Sequence, residues 1–485
     1  MKDNTKENMV NLKSKTPSDA DDYFEEGMTQ GVTLLTGDPK KAILRLSVPM
    51  ILSMLIMSVY NLVDAIWVAG LGQDSLAAIG FIVPVFMVLI GIGNGLGAGV
   101  NSAISRMIGA KNREGANNAA VHSLIMTVVV SAAITIPLII FLEDIMTAIG
   151  AGSATGLAVI YGQILLAGTI LFLFTNIGYS ILRAEGDAKK PMYAMALSAV
   201  INIILDPVMI YWMGWGIAGA AWATLISVAI VTIIMLYWFF VKRDMYLSIR
   251  LKNYRFSRRI LNDIFSVGIP ASLEFFLMAI SLLIINLILV DVSGNDAVAV
   301  YTAGWRVVMF AIIPIASVSV AAISVTGANF GARKFENLKE ILNYSVKIGI
   351  LISLVTAAVS WIFAPQISLA FTYTPESAPL LPYFIAFLQT MCLFYPFAAL
   401  GMMASALFQG TGKGMTSFII NVFRNLVFIV VFAYVLGVVL GMGQYGVWYG
   451  IVLGDICGGL LGYIWAGVYL SVLLKHEKKA KGVLA

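Results

Sequence analysis

Ser198-Ala-Val-Ile-Asn202-Ile-Ile-Leu-Asp206-Pro207-Val-Met-Ile-Tyr211 is a helix-length apolar run interrupted by an amide, an acid and a proline. An aspartate at that depth costs roughly 2.5–3.5 kcal/mol on insertion scales, so it faces a cavity or a partner rather than lipid. Asn202 and Asp206 are four apart and share one helix face, and Pro207 has no N–H to give the carbonyl of Ile203. One helical turn thus offers a carboxylate, an amide and a free carbonyl, the oxygen ligands that a proton or a small hard cation needs.

The flanking sequence repeats this apolar character from end to end. The 485 residues are 60% hydrophobic and 12% charged, with a mean hydropathy of +0.90. Apolar runs between polar breaks predict twelve spans, near 43–70, 78–105, 118–142, 157–182, 191–212, 217–241, 264–291, 299–327, 340–364, 380–407, 415–436 and 445–472. The chain is therefore read as an all-α polytopic membrane protein.

Charge fixes its sense. Of the 31 Lys and Arg residues, all but Arg306 and Arg424 fall in the terminal tails, the even-numbered inter-span loops or their flanks. The loops near 71–77, 143–156, 213–216, 292–298, 365–379 and 437–444 contain neither residue. The positive-inside rule then predicts both termini in the cytoplasm of a multi-pass cell-membrane protein. The net charge of +5 reflects this topology rather than a nucleic-acid partner. Residues 1–40 are polar, lack the apolar core of a signal peptide and are expected to be a disordered cytoplasmic tail.

The chemistry available is narrow. Both cysteines, Cys392 and Cys457, lie within spans, and the only histidines are His122 and His476, which leaves no disulfide framework, ordinary zinc site or His-based catalysis. Gly214-x-Gly-x-x-Gly219 follows no strand and Gly410-Thr-Gly-Lys413 lacks the rest of a P-loop, so no nucleotide is expected. No enzymatic activity is expected, and no cofactor is predicted.

An internal repeat organises the rest. Asp263-Ile-Phe-Ser-Val-Gly-Ile-Pro270 echoes Leu44-Arg-Leu-Ser-Val-Pro49, Asn295-Asp-Ala-Val-Ala299 echoes Gln73-Asp-Ser-Leu-Ala77, and Gly331-Ala-Arg-Lys334 echoes Gly109-Ala-Lys-Asn112. Gly441-x-Gly-x-x-Gly446 repeats Gly214-x-Gly-x-x-Gly219. Two six-helix lobes follow, 41–245 and 260–475, joined by a cytoplasmic linker at 246–259 and trailed by a tail at 476–485. Six is even, so both lobes start on one side and are related by a pseudo-two-fold axis along the membrane normal, an architecture suited to a rocking transporter.

Leu35-Thr-Gly-Asp-Pro-Lys-Lys41, Tyr60-Asn-Leu-Val-Asp64, Gly109-Ala-Lys-Asn112 with its echo, Arg183-Ala-Glu-Gly-Asp187 and Asn202-x-x-x-Asp206-Pro207 together resemble the multidrug and toxic compound extrusion (MATE) family. The chain is most similar to its DinF-like branch, and the likeness covers about residues 33–475. The resemblance implies secondary active efflux of organic, often cationic and amphipathic, compounds by alternating access in exchange for H+ or Na+. It implies small drug-like substrates, a lipid-embedded monomer and a coupling site in the first lobe. Carried over by motif, that site comprises Asp64 and Tyr60 on the first span, Tyr161 on the fourth, Asn202 and Asp206 on the fifth and Thr224 on the sixth. Asp64, Asn202, Asp206 and Thr224 are also the oxygen set for a sodium ion.

Span sense supports convergence independently, since Asp64 and Asp206 fall late in outward helices and Tyr161 and Thr224 early in inward ones. At the repeat offset of Lys111 to Arg333, Asp64 maps onto Asn286, so the acid is kept only in the first lobe. The second lobe carries Glu274, Arg306, Arg424 and Asp455 within spans. They sum to zero, and ion pairing or a place in the substrate cavity is expected of them. The rival function, a lipid-linked oligosaccharide flippase of the wider superfamily, calls for more cavity cations than Arg306 and Arg424 supply. The orientation is checked by labelling: single cysteines at Ser153 and Ser377 react from outside with a membrane-impermeant reagent and one at Ser257 does not. The opposite pattern overturns it.

Overall fold

In the computed structural model, which describes residues 28–242, 244–480 and 482, seventeen α-helices form and no strand is present among those residues. In chain order they are α1 Gln30–Thr36, α2 Pro39–Ala69, α3 Gln73–Gly109, α4 Arg113–Ile140, α5 Leu142–Ala148, α6 Thr155–Ala167, α7 Thr169–Ala184, α8 Lys189–Pro207 and α9 Gly216–Leu236. The second half runs through α10 Arg258–Gly331, α11 Phe335–Ile362, α12 Ala364–Phe371, α13 Leu381–Met391, α14 Tyr395–Gly410, α15 Gly414–Val422, α16 Ile429–Tyr434 and α17 Gly443–Ala480.

Local chemistry explains the ends. Asp38 caps α2 by accepting from the Lys40 N–H, with Pro39 at the first position, where a missing N–H is harmless. Asn112 caps α4 through Gly115 N, and Ser257 caps α10 through Ile260 N. Two crossings are each built from a bent pair, α6 with α7 at 47° and α13 with α14 at 46°. The 74 residues of α10 would span about 110 Å as one rod, far beyond a hydrocarbon core of about 30 Å. Gly294, with φ of +76°, breaks it into two crossings. Counting the bent pairs as single crossings and α10 as two gives the twelve expected crossings among the described residues. The loop expected at 292–298 is helical except for that glycine, since one left-handed residue reverses the chain at no side-chain cost.

The repeat extends to individual dihedrals. Lys111 and Arg333 take φ of +58° and +56°, and each closes its helix with the same bond pattern, Asn112 N to Met107 O and Lys334 N to Asn329 O, both 2.9 Å. A π-turn at Val208–Trp212 follows Pro207, and its counterpart is Val435–Val439. The two Gly-x-Gly-x-x-Gly turns match as well: Trp215 N bonds Met209 O at 3.1 Å and Met442 N bonds Leu436 O at 3.2 Å. They are tight turns between helices.

The halves meet closely at the end that carries the basic loops. A Cβ on Gly109 would overlap the Ala328 carbonyl, and one on Gly331 would overlap the Arg106 carbonyl. The two contacts exchange under the repeat, so the pseudo-axis passes between them. Ser102 Oγ donates to Gln409 O, and Ser324 Oγ donates to Asn101 Oδ1 at 2.9 Å. Toward the charge-poor end each half has a core of its own, one running from Val68 to Ala221 and one from Ile285 to Val452.

Part of the stretch expected as a tail is structured: Thr29 caps α1 through Val32 N, and Val32 and Leu35 are fully buried. Residues 1–27 lie outside the described residues. Val32 joins the basic-end core that includes Ile104 and Ile181, and Leu35 joins the one that includes Val325 and Leu407. Gly109→Ala and Gly331→Ala are each expected to cost about 1–3 kcal/mol, the usual range for overpacking. Gly467→Ala, with open space around it, should leave the melting temperature unchanged; thermal unfolding in detergent measures all three.

Candidate functional site

The first-half polar residues converge. Pro207 ends α8 without donating to Ile203, and the helix widens into its π-turn directly afterwards. Asp206 is 0% and Asn202 1% exposed. With its amide oriented so that both ends are paired, Asn202 donates to Asp206 Oδ2 at 2.7 Å and accepts from Thr224 N at 3.1 Å and Thr224 Oγ1 at 3.2 Å. These bonds tie α8 to α9 and point the Asp206 carboxyl toward α2. There the Asp64 carboxyl neighbours that of Asp206, and the Tyr60 hydroxyl neighbours Thr224. Asp64 Oδ1 is buried and has no hydrogen-bond partner. Tyr161, 8% exposed on α6, faces Asp64 and Tyr60 from the fourth crossing.

Two carboxyls this close repel when both are ionised, and a shared proton or an intervening cation removes the repulsion. All six predicted first-lobe residues therefore share one cluster drawn from four crossings. At the position equivalent to Asp64, the Asn286 Oδ1 is likewise buried and unpartnered.

The second-half residues divide differently. Arg424 Nε donates to Asp455 Oδ1 between the eleventh and twelfth crossings, and Asp455 is fully buried. Gly401 and Gly458 leave room for the guanidinium and its stem. Arg306 is exposed and makes no ion pair among the described residues. Glu274 has no ion-pair partner there either: its Oε1 accepts from Ser417 Oγ at 2.7 Å and its Oε2 from Gln409 Nε2 at 3.5 Å. Ser405 completes the net, with Oγ to Ser417 Oγ at 2.6 Å and Asn421 Nδ2 to Ser405 Oγ at 2.9 Å. Sequence reading missed Gln409, Ser417 and Asn421, although Ser405/Gln409 and Ser417/Asn421 are polar pairs at helical spacing within apolar spans.

Glu185, in the Arg-Ala-Glu-Gly-Asp motif, was also missed. It is buried at the basic end, where it accepts from Leu247 N at 3.3 Å, and burial pushes its carboxyl up to about 8.

Twelve crossings in a pseudo-symmetric pair, with a buried carboxyl cluster on one side only, define a secondary-transporter architecture. The chain belongs to the MatE family, whose model matches residues 49–208 and 270–435. It is 27% identical over 394 residues to the multidrug export protein MepA of Staphylococcus aureus strain MSSA476, covering 81% of this chain and 86% of that protein. A solved outward-facing multidrug resistance MATE transporter of the MOP superfamily superposes with a TM-score of 0.90 at 44% identity, over 92% of this chain and 99% of the other. A MOP superfamily transporter from Pyrococcus furiosus, described as having a binding pocket of reverse polarity that suggests a different function, matches equally, with the same score, identity and coverage.

The Arg424–Asp455 pair yields a prediction. Asp455→Leu strands a buried guanidinium and should cost about 3–5 kcal/mol, whereas Arg424→Met with Asp455→Leu should regain most of it. Melting temperatures of the three proteins in detergent check this.

Proposed function

We propose that the protein is a secondary active antiporter that exports small organic compounds across the cell membrane in exchange for a coupling ion bound at the Asp64–Asp206 pair. The observation that carries the reading is that pair itself, held across the first and fifth crossings. Asp206 is fixed by Asn202, which Thr224 holds in turn, while Asp64 Oδ1 is left open. A change of charge there alters the attraction between α2 and α8, and Pro49 within α2 offers a place to bend. Binding in one lobe is thereby coupled to the shape of the space between lobes.

The proposed lobes are 41–245 and 260–475, joined by 246–259, with both termini cytoplasmic and the protein acting as a monomer. The acidic cluster in the first lobe supports the DinF-like branch. MepA's name as a multidrug export protein supports the substrate class. The flippase reading is disfavoured because Arg424 is committed to Asp455 and so is not free to meet a phosphate.

Proton exchange fits the arrangement as it stands. The Asn202 oxygen is already engaged by Thr224, so sodium would take Asp64, Asp206 and Thr224 directly and Asn202 only after its amide turns over. In proteoliposomes, Asp206→Asn is expected to reduce substrate-driven ion flux to background in correctly inserted protein; wild-type flux would refute the assignment. If both ions use the site, raising pH at fixed sodium increases apparent sodium affinity by about tenfold per unit across the competitive range, since proton release frees the carboxylate. Asp64→Asn removes that dependence. A flat profile in the wild type would separate the two ions.

A further inference from the structure

The linker between the halves is bound down along the start of α4. Asn118 Nδ2 donates to Arg255 O at 2.7 Å while its Oδ1 accepts from Arg255 N at 3.2 Å, and Asn117 Oδ1 accepts from Ser248 N at 2.8 Å. Arg113 donates twice to Tyr246 O, at 3.1 and 2.8 Å. His122 bonds Ser257 N at 3.0 Å through Nε2 and packs its ring 4.7 Å from that of Tyr254. Four side chains of α4 thus fix the backbone of a segment that a flexible tether would not need to hold.

What this docking builds is a recess of about 670 Å³ between the linker and the first turns of α4, lined by Arg250, Lys252 and Arg255 and by a single acid, Glu114. Among the described residues the three cations make no ion pair and no side-chain hydrogen bond. Three positive charges against one negative, in a concave site with a fixed backbone, select an anion with several acceptor oxygens.

The surroundings identify its source. Leu251 is 61% and Phe256 71% exposed, interleaved with the cations in Arg250-Leu-Lys-Asn-Tyr-Arg-Phe256. The recess is lined by the segment between the end of the sixth crossing and the start of α10, on the face that carries the basic loops. A site for a soluble anion has no use for exposed leucine and phenylalanine, whereas a site at the bilayer boundary seats them among acyl chains beneath the headgroups. We infer that this recess binds the phosphate headgroup of an anionic phospholipid in the leaflet at the basic face, with Leu251 and Phe256 inserted beside its chains. The lipid then anchors the segment through which the halves are joined, so leaflet composition acts on their relative movement. The site stands apart from the carboxyl cluster and does not depend on the ion-coupling proposal.

The test is equilibrium binding of spin-labelled phosphatidylglycerol and phosphatidylcholine to the delipidated full-length protein in detergent. Phosphatidylglycerol is expected to bind at least about tenfold more tightly. Arg250→Gln with Lys252→Gln and Arg255→Gln abolishes that preference, whereas Lys475→Gln with Lys478→Gln and Lys479→Gln on α17 preserves it. Leu251→Ser with Phe256→Ser weakens phosphatidylglycerol binding several-fold. Glu114→Gln strengthens it, a gain that misfolding cannot produce. Retained preference in the linker triple variant, or no gain in Glu114→Gln, overturns the proposal. Displacement of phosphatidylglycerol by inorganic phosphate at millimolar concentration also overturns the lipid assignment and makes the recess a site for soluble anions.

Discussion

The structure hangs on a place where two backbones touch with no side chain between them. Gly109 meets the Ala328 carbonyl and Gly331 meets the Arg106 carbonyl, and the repeat interchanges the two contacts. In a medium as apolar as the side chains themselves, helices gain little from burying hydrocarbon, and close approach of small residues supplies the packing instead. Gly95 against Ser272 and Gly99 against Ile264 and Gly268 extend the seam along α3 and α10. With the basic ends joined in this way, the charge-poor ends keep separate cores, and the carboxyl cluster sits toward those separate ends.

The two lobes share a backbone plan but set their buried acids among different partners. In the first, an acid is deliberately under-satisfied: Asp206 is held by Asn202, and Asp64 keeps an open oxygen. In the second, Glu274 is wrapped by Ser417 and Gln409 and Arg424 is paired with Asp455 through Oδ1, while Asp455 Oδ2 and Asn286 Oδ1 stay unpartnered. An unmet acceptor buried in a membrane protein is costly. Satisfied groups hold helices together.

Much of this was legible in the sequence because hydrocarbon imposes strict rules. Backbone polar groups must be paired within a span, which makes apolar runs readable as helices, and Asp206 stands out because acids are rare there. The echo of Gly109-Ala-Lys-Asn112 in Gly331-Ala-Arg-Lys334 marked the repeat, down to the left-handed Lys111 and Arg333. Other features were hidden. Gly294 alone divides α10, and residues 292–298 look like any polar loop in composition. The net around Glu274 joins the seventh, tenth and eleventh crossings, and no spacing along the chain shows which of many serines face one another. Arg306 was grouped with the other charges by a sum, but charge balance does not establish contact.

Helix α1 has a thermal consequence. Val32 lies in one basic-end core and Leu35 in the other, three residues apart on a single seven-residue helix. Any conformer in which those cores part must expose at least one of the two side chains to water, at about 1.5–3 kcal/mol for each. Hydration of apolar surface carries a positive heat capacity, so the free energy of opening at this end is curved in temperature rather than linear. A seven-residue helix thereby makes the balance between conformers a thermometer.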